Sequence, residues 1–210
     1  MTTYPQSYPQ SAPQPAPGAG QAAVVGGPDG VLTEEQVTAF VAERLAAEPL
    51  DGLSVLLVVP DGTRSCPLPL LLGAVHTALH GGSRADRARS RWATHAAMSE
   101  PELAAHLGYP QDGLAERYPG TTVLNHQWWD PEAFASLGTI PAERVGELSG
   151  GLLHHEVDVR LNRAVVEHDV ALVLGPVFPH EVVGFSGGNK YFFPGVAGRR
   201  SSTCRTGWAR

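Results

Sequence analysis

Apolar and polar positions follow two rhythms along this chain. From Thr33 the rhythm is helical: Val37, Phe40, Val41 and Leu45 recur at spacings of three and four. Thr33-Glu34-Glu35-Gln36 stands in front as a capping box, in which the threonine and glutamine side chains satisfy open backbone N–H groups. Leu53 to Val59 is then a continuous apolar run, which predicts a strand buried on both faces. It ends in the polar turn Pro60-Asp61-Gly62-Thr63-Arg64, at the end of a strand where open α/β sheets receive ligands.

The alternation continues. Leu68 to Leu79 reads as a helix with His76 and His80 four apart; no third ligand is near, so both are expected to be exposed helix histidines. Ser83 to Arg91 is basic and polar where the alternation calls for a strand. It is either a surface loop or a patch read out of frame, since a one-base shift turns Arg84–Arg89 into an apolar run. Trp92-Ala93-Thr94-His95 leads into a second capping box, Ser99-Glu100-Pro101-Glu102, and a short helix stopped by Gly108. Val123-Leu124 predicts a short strand, Pro131 to Leu137 a helix, Glu156 to Val159 a strand and Leu161 to Glu167 a helix. Val170 to Leu174 reads as a buried strand. The whole predicts an α/β domain with a mostly parallel sheet flanked by helices. Its strand ends would gather Asp61, Thr63, Arg64, His95, His126 and His180 on one rim.

Composition narrows the classes. The chain has 210 residues, enough for one domain or a domain with tails. A formal net charge of −6 and a pI near 5.8 carry no general nucleic-acid footprint. Cys66 and Cys204 have neither metal-ligand spacing nor a disulfide framework. No apolar run approaches a membrane span, and no basic-then-apolar signal sequence opens the chain, so a cytoplasmic protein is expected. Residues 1–30 are Pro, Gln, Ala, Gly and Tyr with almost no charge, and cannot offset their own ordering entropy.

The densest chemistry lies in Gly175 to Gly198, GPVFPHEVVGFSGGNKYFFPGVAG. His180 is followed by a Ser186-Gly187-Gly188-Asn189 turn, then Lys190 and Tyr191-Phe192-Phe193. Paired glycines let backbone pass close to a ligand, and a lysine between such a turn and aromatics is a candidate desolvated amine. A plain turn with a solvated lysine and packed aromatics is the other reading of the same residues.

Taken in order, Asp61-Gly62-Thr63-Arg64, Thr94-His95 running into Met98-Ser99-Glu100, Asn125-His126, Pro179-His180 and Gly184-Phe185-Ser186-Gly187-Gly188-Asn189-Lys190 resemble the N-terminal domain of nickel-dependent lactate racemases. The resemblance implies a Rossmann-like N-terminal domain over residues 31–198 and a nickel pincer nucleotide as cofactor. It implies that Lys190 joins the cofactor covalently, that His95 and His180 are the acid/base pair, and that Arg64 holds the substrate carboxylate. Asp61 and Thr63 would belong to the cofactor-side turn, and His126 matches a position without an assigned role. The substrate class implied is a small 2-hydroxy acid, with neither nucleic acid nor membrane as partner.

The chain departs from that pattern after Gly198. Residues 199–210, RRSSTCRTGWAR, have no helical spacing and no histidine, where the family carries an acidic-apolar helix and a nickel-ligating histidine. Restoring one base after Gly198 in a GC-rich back-translation gives such a helix, with a histidine in place of Thr206. The family's C-terminal domain is also missing, so a fragment with little or no racemase activity is expected. The alternatives are a non-catalytic module binding a nucleotide or a partner through the same rim, and a metal hydrolase built on His95, His126 and His180.

Overall fold

In a computed structural model of the chain, residues 22–81, 88–94, 97–181 and 184–198 are described, the stretch 88–94 by its backbone. Helix α1 (Glu34–Ala47) starts at the capping box: Thr33 Oγ1 accepts the Gln36 N–H, and Gln36 Oε1 accepts the Thr33 N–H at 2.9 Å. Strand β1 (Leu53–Val59), helix α2 (Leu68–His80) and strand β2 (Ala88–Thr94) follow. Next come α3 (Glu100–Leu107), the single turn α4 (Leu114–Arg117) and β3 (Thr122–Asn125). The chain continues through β4 (Phe134–Ile140), α5 (Ala142–Leu148), β5 (Val157–Asn162), α6 (Arg163–Glu167) and β6 (Val170–Val173). A short hairpin, β7 (Pro179–His180) with β8 (Gly184–Phe185), closes the series.

The central sheet has four parallel strands in the order β3-β2-β1-β6. From β1 the chain steps outward through β2 to β3, then returns to pair β6 on the other side of β1. That reversal makes a crevice beyond the carboxyl ends of β1 and β6. The basic stretch Ala88–Thr94 fills the central strand position, in register from Leu53↔Ala88 to Val59↔Thr94. Backbone pairing tolerates its polar sequence, because ladder bonds use main-chain groups alone.

Val55 to Val59 are fully buried and divide by parity. Val55, Leu57 and Val59 enter a core with Leu68, Leu72, Val75 and Leu79 of α2 and Leu103, Ala104 and Leu107 of α3. Leu56 and Val58 face a smaller core with Ala164 of α6 and Val196. Asp169, just before β6, accepts the Ser54 N–H at 2.8 Å and the Ser54 hydroxyl at 2.6 Å, fastening the two parallel strands at their amino ends, away from the crevice.

Several expectations are corrected. Pro131–Ala133 is one 3₁₀ turn, and Phe134 onward is strand β4, not helix. Here Phe134 pairs with Asn162 and Ala135 with Leu161, Phe134 and Leu161 are both buried, and pairing with β5 outweighs local helix propensity. Leu161 therefore belongs to a strand, and the helix begins at Arg163, capped by Asn162. β4 and β5 pair antiparallel, as a two-stranded sheet separate from the main one. Val170–Val173 is half-buried throughout, because β6 has a partner on one side only. His76 and His80 are not exposed: they are half-buried, their rings 4.7 Å apart, and His76 lies edge-on to Tyr118 with Nε2 3.1 Å from the Pro119 carbonyl.

Candidate functional site at the carboxyl rim

The parallel sheet brings the ends of β1, β2, β3 and β6 to one rim. After β1, Asp61 folds over its own turn: its Oδ1 accepts the Thr63 N–H at 3.0 Å and is in close contact with the Thr63 hydroxyl. The turn is closed by the Arg64 N–H on the Asp61 carbonyl at 3.3 Å. Asp61 and Thr63, predicted together, are therefore one hydrogen-bonded unit. Beside it lies an open cleft of about 510 Å³, lined by Asp61, Gly62 and Thr63 on one side and Met98, Glu102, Ala105 and His106 on the other.

Two side chains shape that cleft which the sequence did not mark as site residues: His106, and Glu102, read there only as a helix cap. His106 Nε2 donates to the Pro60 carbonyl at 2.9 Å, tying α3 to the end of β1. Glu102 accepts the Ser99 N–H and hydroxyl, both at 2.7 Å, and these bonds hold its carboxyl below the usual range. The spacing of Glu102, Ala105 and His106 puts all three on one helix face, a signal available in the sequence. At the end of β3, Asn125 brackets Met98 by accepting its N–H at 3.0 Å and donating to its carbonyl at 2.8 Å. The side-chain amide thereby acts as one more rung of backbone pairing for the loop after β2.

His126 does not present itself on the rim. It is 3 % exposed, edge-on to Phe134 with ring centroids 5.5 Å apart, and its Nδ1 accepts from Asn162 Nδ2 at 3.0 Å. The Asn162 carbonyl oxygen takes the Ala164 N–H at 2.9 Å, which fixes the amide orientation and leaves the imidazole proton on Nε2. Its role here is to pack the β4–β5 sheet against the end of β3. His95 follows the last residue of β2 and lies outside the described residues.

Beyond β6 the chain makes the β7–β8 hairpin. Ser186 closes it, donating its N–H to the Phe178 carbonyl at 2.8 Å while its hydroxyl lies 3.3 Å from the Phe178 N–H. His180 is exposed at the end of β7, opposite Gly184. Gly187 then turns at φ +77°, and a methyl group there would overlap the Pro176 carbonyl oxygen, so the position admits only glycine. Lys190 sits half-buried in the 3₁₀ turn Gly188–Tyr191, its amine donating to the Phe185 carbonyl in a close contact.

Tyr191, next to it, reaches the crevice between β1 and β6. Burial pushes its phenol pKa up, Cys66 adds to the rise, Arg64 pulls it down and Asp61 raises it again. Burial likewise raises the Cys66 thiol. Arg64, Asp61, Cys66 and Tyr191 thus share one electrostatic neighbourhood at the switch point. Among the described residues no group of three or more His, Cys, Asp or Glu is placed to hold a metal ion, and no helix is long and apolar enough to cross a membrane.

Fold and rim define an α/β domain with a crevice at the carboxyl ends of a parallel sheet, Lys190 lying one residue from it. Residues 33–205 match the lactate racemase N-terminal domain, and the chain belongs to that family. A Thermotoga maritima protein solved by structural genomics is similar at 27% identity and a TM-score of 0.69, over 81% of this chain and 40% of its own. The lactate racemase apoprotein of Thermoanaerobacterium thermosaccharolyticum shares the fold at 21% identity and a TM-score of 0.60, over 81% of this chain and 38% of its own. The chain thus spans about two fifths of the solved structures it resembles. No curated protein matches it.

Proposed function

We propose that this chain is the cofactor-bearing part of a 2-hydroxy-acid racemase of the lactate type, with a Rossmann-like sheet order, inactive or nearly so by itself. The observation that carries the reading is the placement of Lys190. Its primary amine is half-buried, beside a Gly187 turn that no other residue can make, and one residue from the switch-point crevice. That donor fits covalent attachment of a nucleotide-derived cofactor, as Lys190 is the single lysine of the chain. The family resemblance implies a nickel pincer nucleotide as that cofactor. When bound, such a cofactor supplies the acceptance and return of hydride.

The chain's own residues hold and protonate. Arg64 offers a planar fork of donors, which suits two-point binding of the substrate carboxylate. His95 and His180, one toward each face of the substrate carbon, would take the hydroxyl proton as hydride leaves and return one as it comes back; imidazole does this near neutral pH. Asp61 and Thr63, locked to each other, keep the turn that carries Arg64 in shape. Localisation in the cytoplasm accords with this chemistry.

A non-catalytic nucleotide- or partner-binding role is the second reading. It is favoured by the exposed Val177, Phe178 and Phe185 around the β7–β8 hairpin, which give an apolar surface beside the crevice. One experiment separates the two. The chain is incubated with nickel pincer nucleotide and digested, and the peptide bearing Lys190 is weighed by mass spectrometry. The racemase reading expects a covalent adduct at Lys190 that Lys190→Arg abolishes, with no racemisation of lactate by this chain alone. An unmodified Lys190 after incubation would sink it.

A further inference from the structure

Tyr191 has a seat that none of the assigned roles explains. A methyl group built on Gly175 would overlap the Tyr191 hydroxyl, lie 2.7 Å from its ring carbon Cζ and 3.3 Å from Pro60 Cδ. The phenol therefore occupies the volume that any side chain at position 175 would take, wedged where β1 and β6 end. Its ring packs with Phe192 on the small core of Leu56, Val58, Ala164 and Val196.

The backbone bonds around Lys190 hold the turn mainly to itself. Lys190 N–H donates to the Gly187 carbonyl at 3.1 Å, Gly195 N–H to the Lys190 carbonyl at 3.0 Å, and Val196 N–H to the Tyr191 carbonyl at 3.0 Å. None of these three reaches the ends of β1 or β6. The phenol at Gly175 and Pro60 does, and it sits in the field of Arg64, Cys66 and Asp61. Adjacent residues in a 3₁₀ turn point in different directions, so anchoring Tyr191 inward fixes the direction in which Lys190 leaves the turn.

We infer that Tyr191 is a positioning residue: its phenol, seated in the gap left by the missing side chain of Gly175, sets where the Lys190 amine stands relative to the ends of β1 and β6. The inference rests on the reading of Lys190 as the attachment amine for its meaning, yet its test needs no cofactor.

The chain contains one lysine, so an amine-selective acetylating reagent has one side-chain target, with the α-amine as internal reference. The ratio of the two acetylation rates is followed from pH 6 to 10 (roughly the range in which an α-amine and then a lysine titrate). In Tyr191→Ala the Lys190 ratio should rise about tenfold, the factor given by ~1.4 kcal/mol of lost positioning. Gly175→Ala should reproduce that rise, because its methyl evicts the phenol. Tyr191→Phe keeps the ring wedge and should stay within about twofold of the parent, well short of that tenfold step.

Leu57→Ala serves as control, since it destabilises the opposite face of β1 and should leave the ratio unchanged well below its melting temperature. A parent-like ratio in both Tyr191→Ala and Gly175→Ala overturns the inference, as does an equal rise in Leu57→Ala. A shifted ratio without any adduct in the incubation above would leave the positioning role standing and remove the racemase reading alone.

Discussion

The two faces of β1 are built from the same kind of residue and do different work. Leu56 and Leu57 are neighbours, both leucine and both fully buried. Among the described residues, Leu57 enters a core of thirteen buried residues under α2 and α3, whereas Leu56 belongs to a core of four. Among the described residues, the large core contains none of the Gly175–Gly198 stretch. The small one is roofed by that stretch, through Val196 with Tyr191 and Phe192 packed against it. Stability is therefore concentrated on the helical face, while the face carrying Lys190 is thin, and the candidate site forms part of its own support. A perturbation below the site should therefore reach the site, and one across the sheet should not.

The sharpest test of this contrast is the matched pair of substitutions. Leu57→Ala should cost about 4 to 5 kcal/mol, and Leu56→Ala about 2 to 3 kcal/mol, because the thin face has more freedom to collapse into the gap. Urea unfolding of both variants measures the difference; equal costs would break the contrast. Gly187→Ala should cost about 2 kcal/mol, from a left-handed backbone forced on alanine and the collision with the Pro176 carbonyl. Most of that loss should appear as an altered environment of Tyr191, read by its near-ultraviolet signal, with the helical far-ultraviolet signal intact.

The smallest effect concerns the rim opposite the site. Hydrogen bonds from the Ser54 hydroxyl and N–H hold the Asp169 carboxyl below its ordinary pKa. A carboxyl depressed in the folded state contributes stability above its unfolded pKa, about 4, and loses it as pH falls through the lower, folded value. Asp169→Asn should therefore flatten the fall in melting temperature below about pH 4, while leaving the neutral-pH acetylation ratio of Lys190 untouched. An unchanged acid slope would show that the β1–β6 staple contributes nothing to it.

Much of this was written in the chain. Thr33 and Gln36 announce α1, Ser99 and Glu102 announce α3, and the run Leu53–Val59 announces a doubly buried strand, since caps and periodicity act over a few residues. The order of motifs from Asp61 to Lys190 also carried the family, which the match over residues 33–205 bears out. What the chain left open depends on partners distant in sequence. Phe134 became a strand residue because Asn162 lies across from it, and the polar Ala88–Thr94 a central strand because β1 and β3 flank it. His126 was drawn inward by Asn162, thirty-six positions away, and no local pattern shows that. The residues that shape the site without bearing its chemistry were hidden for the same reason. His106 matters through the Pro60 carbonyl, and Tyr191 through an absent side chain at Gly175. Local sequence determines which segments can be helix or strand; only tertiary packing decides which side chains share a volume, because burial and hydrogen bonding are settled between elements rather than within them.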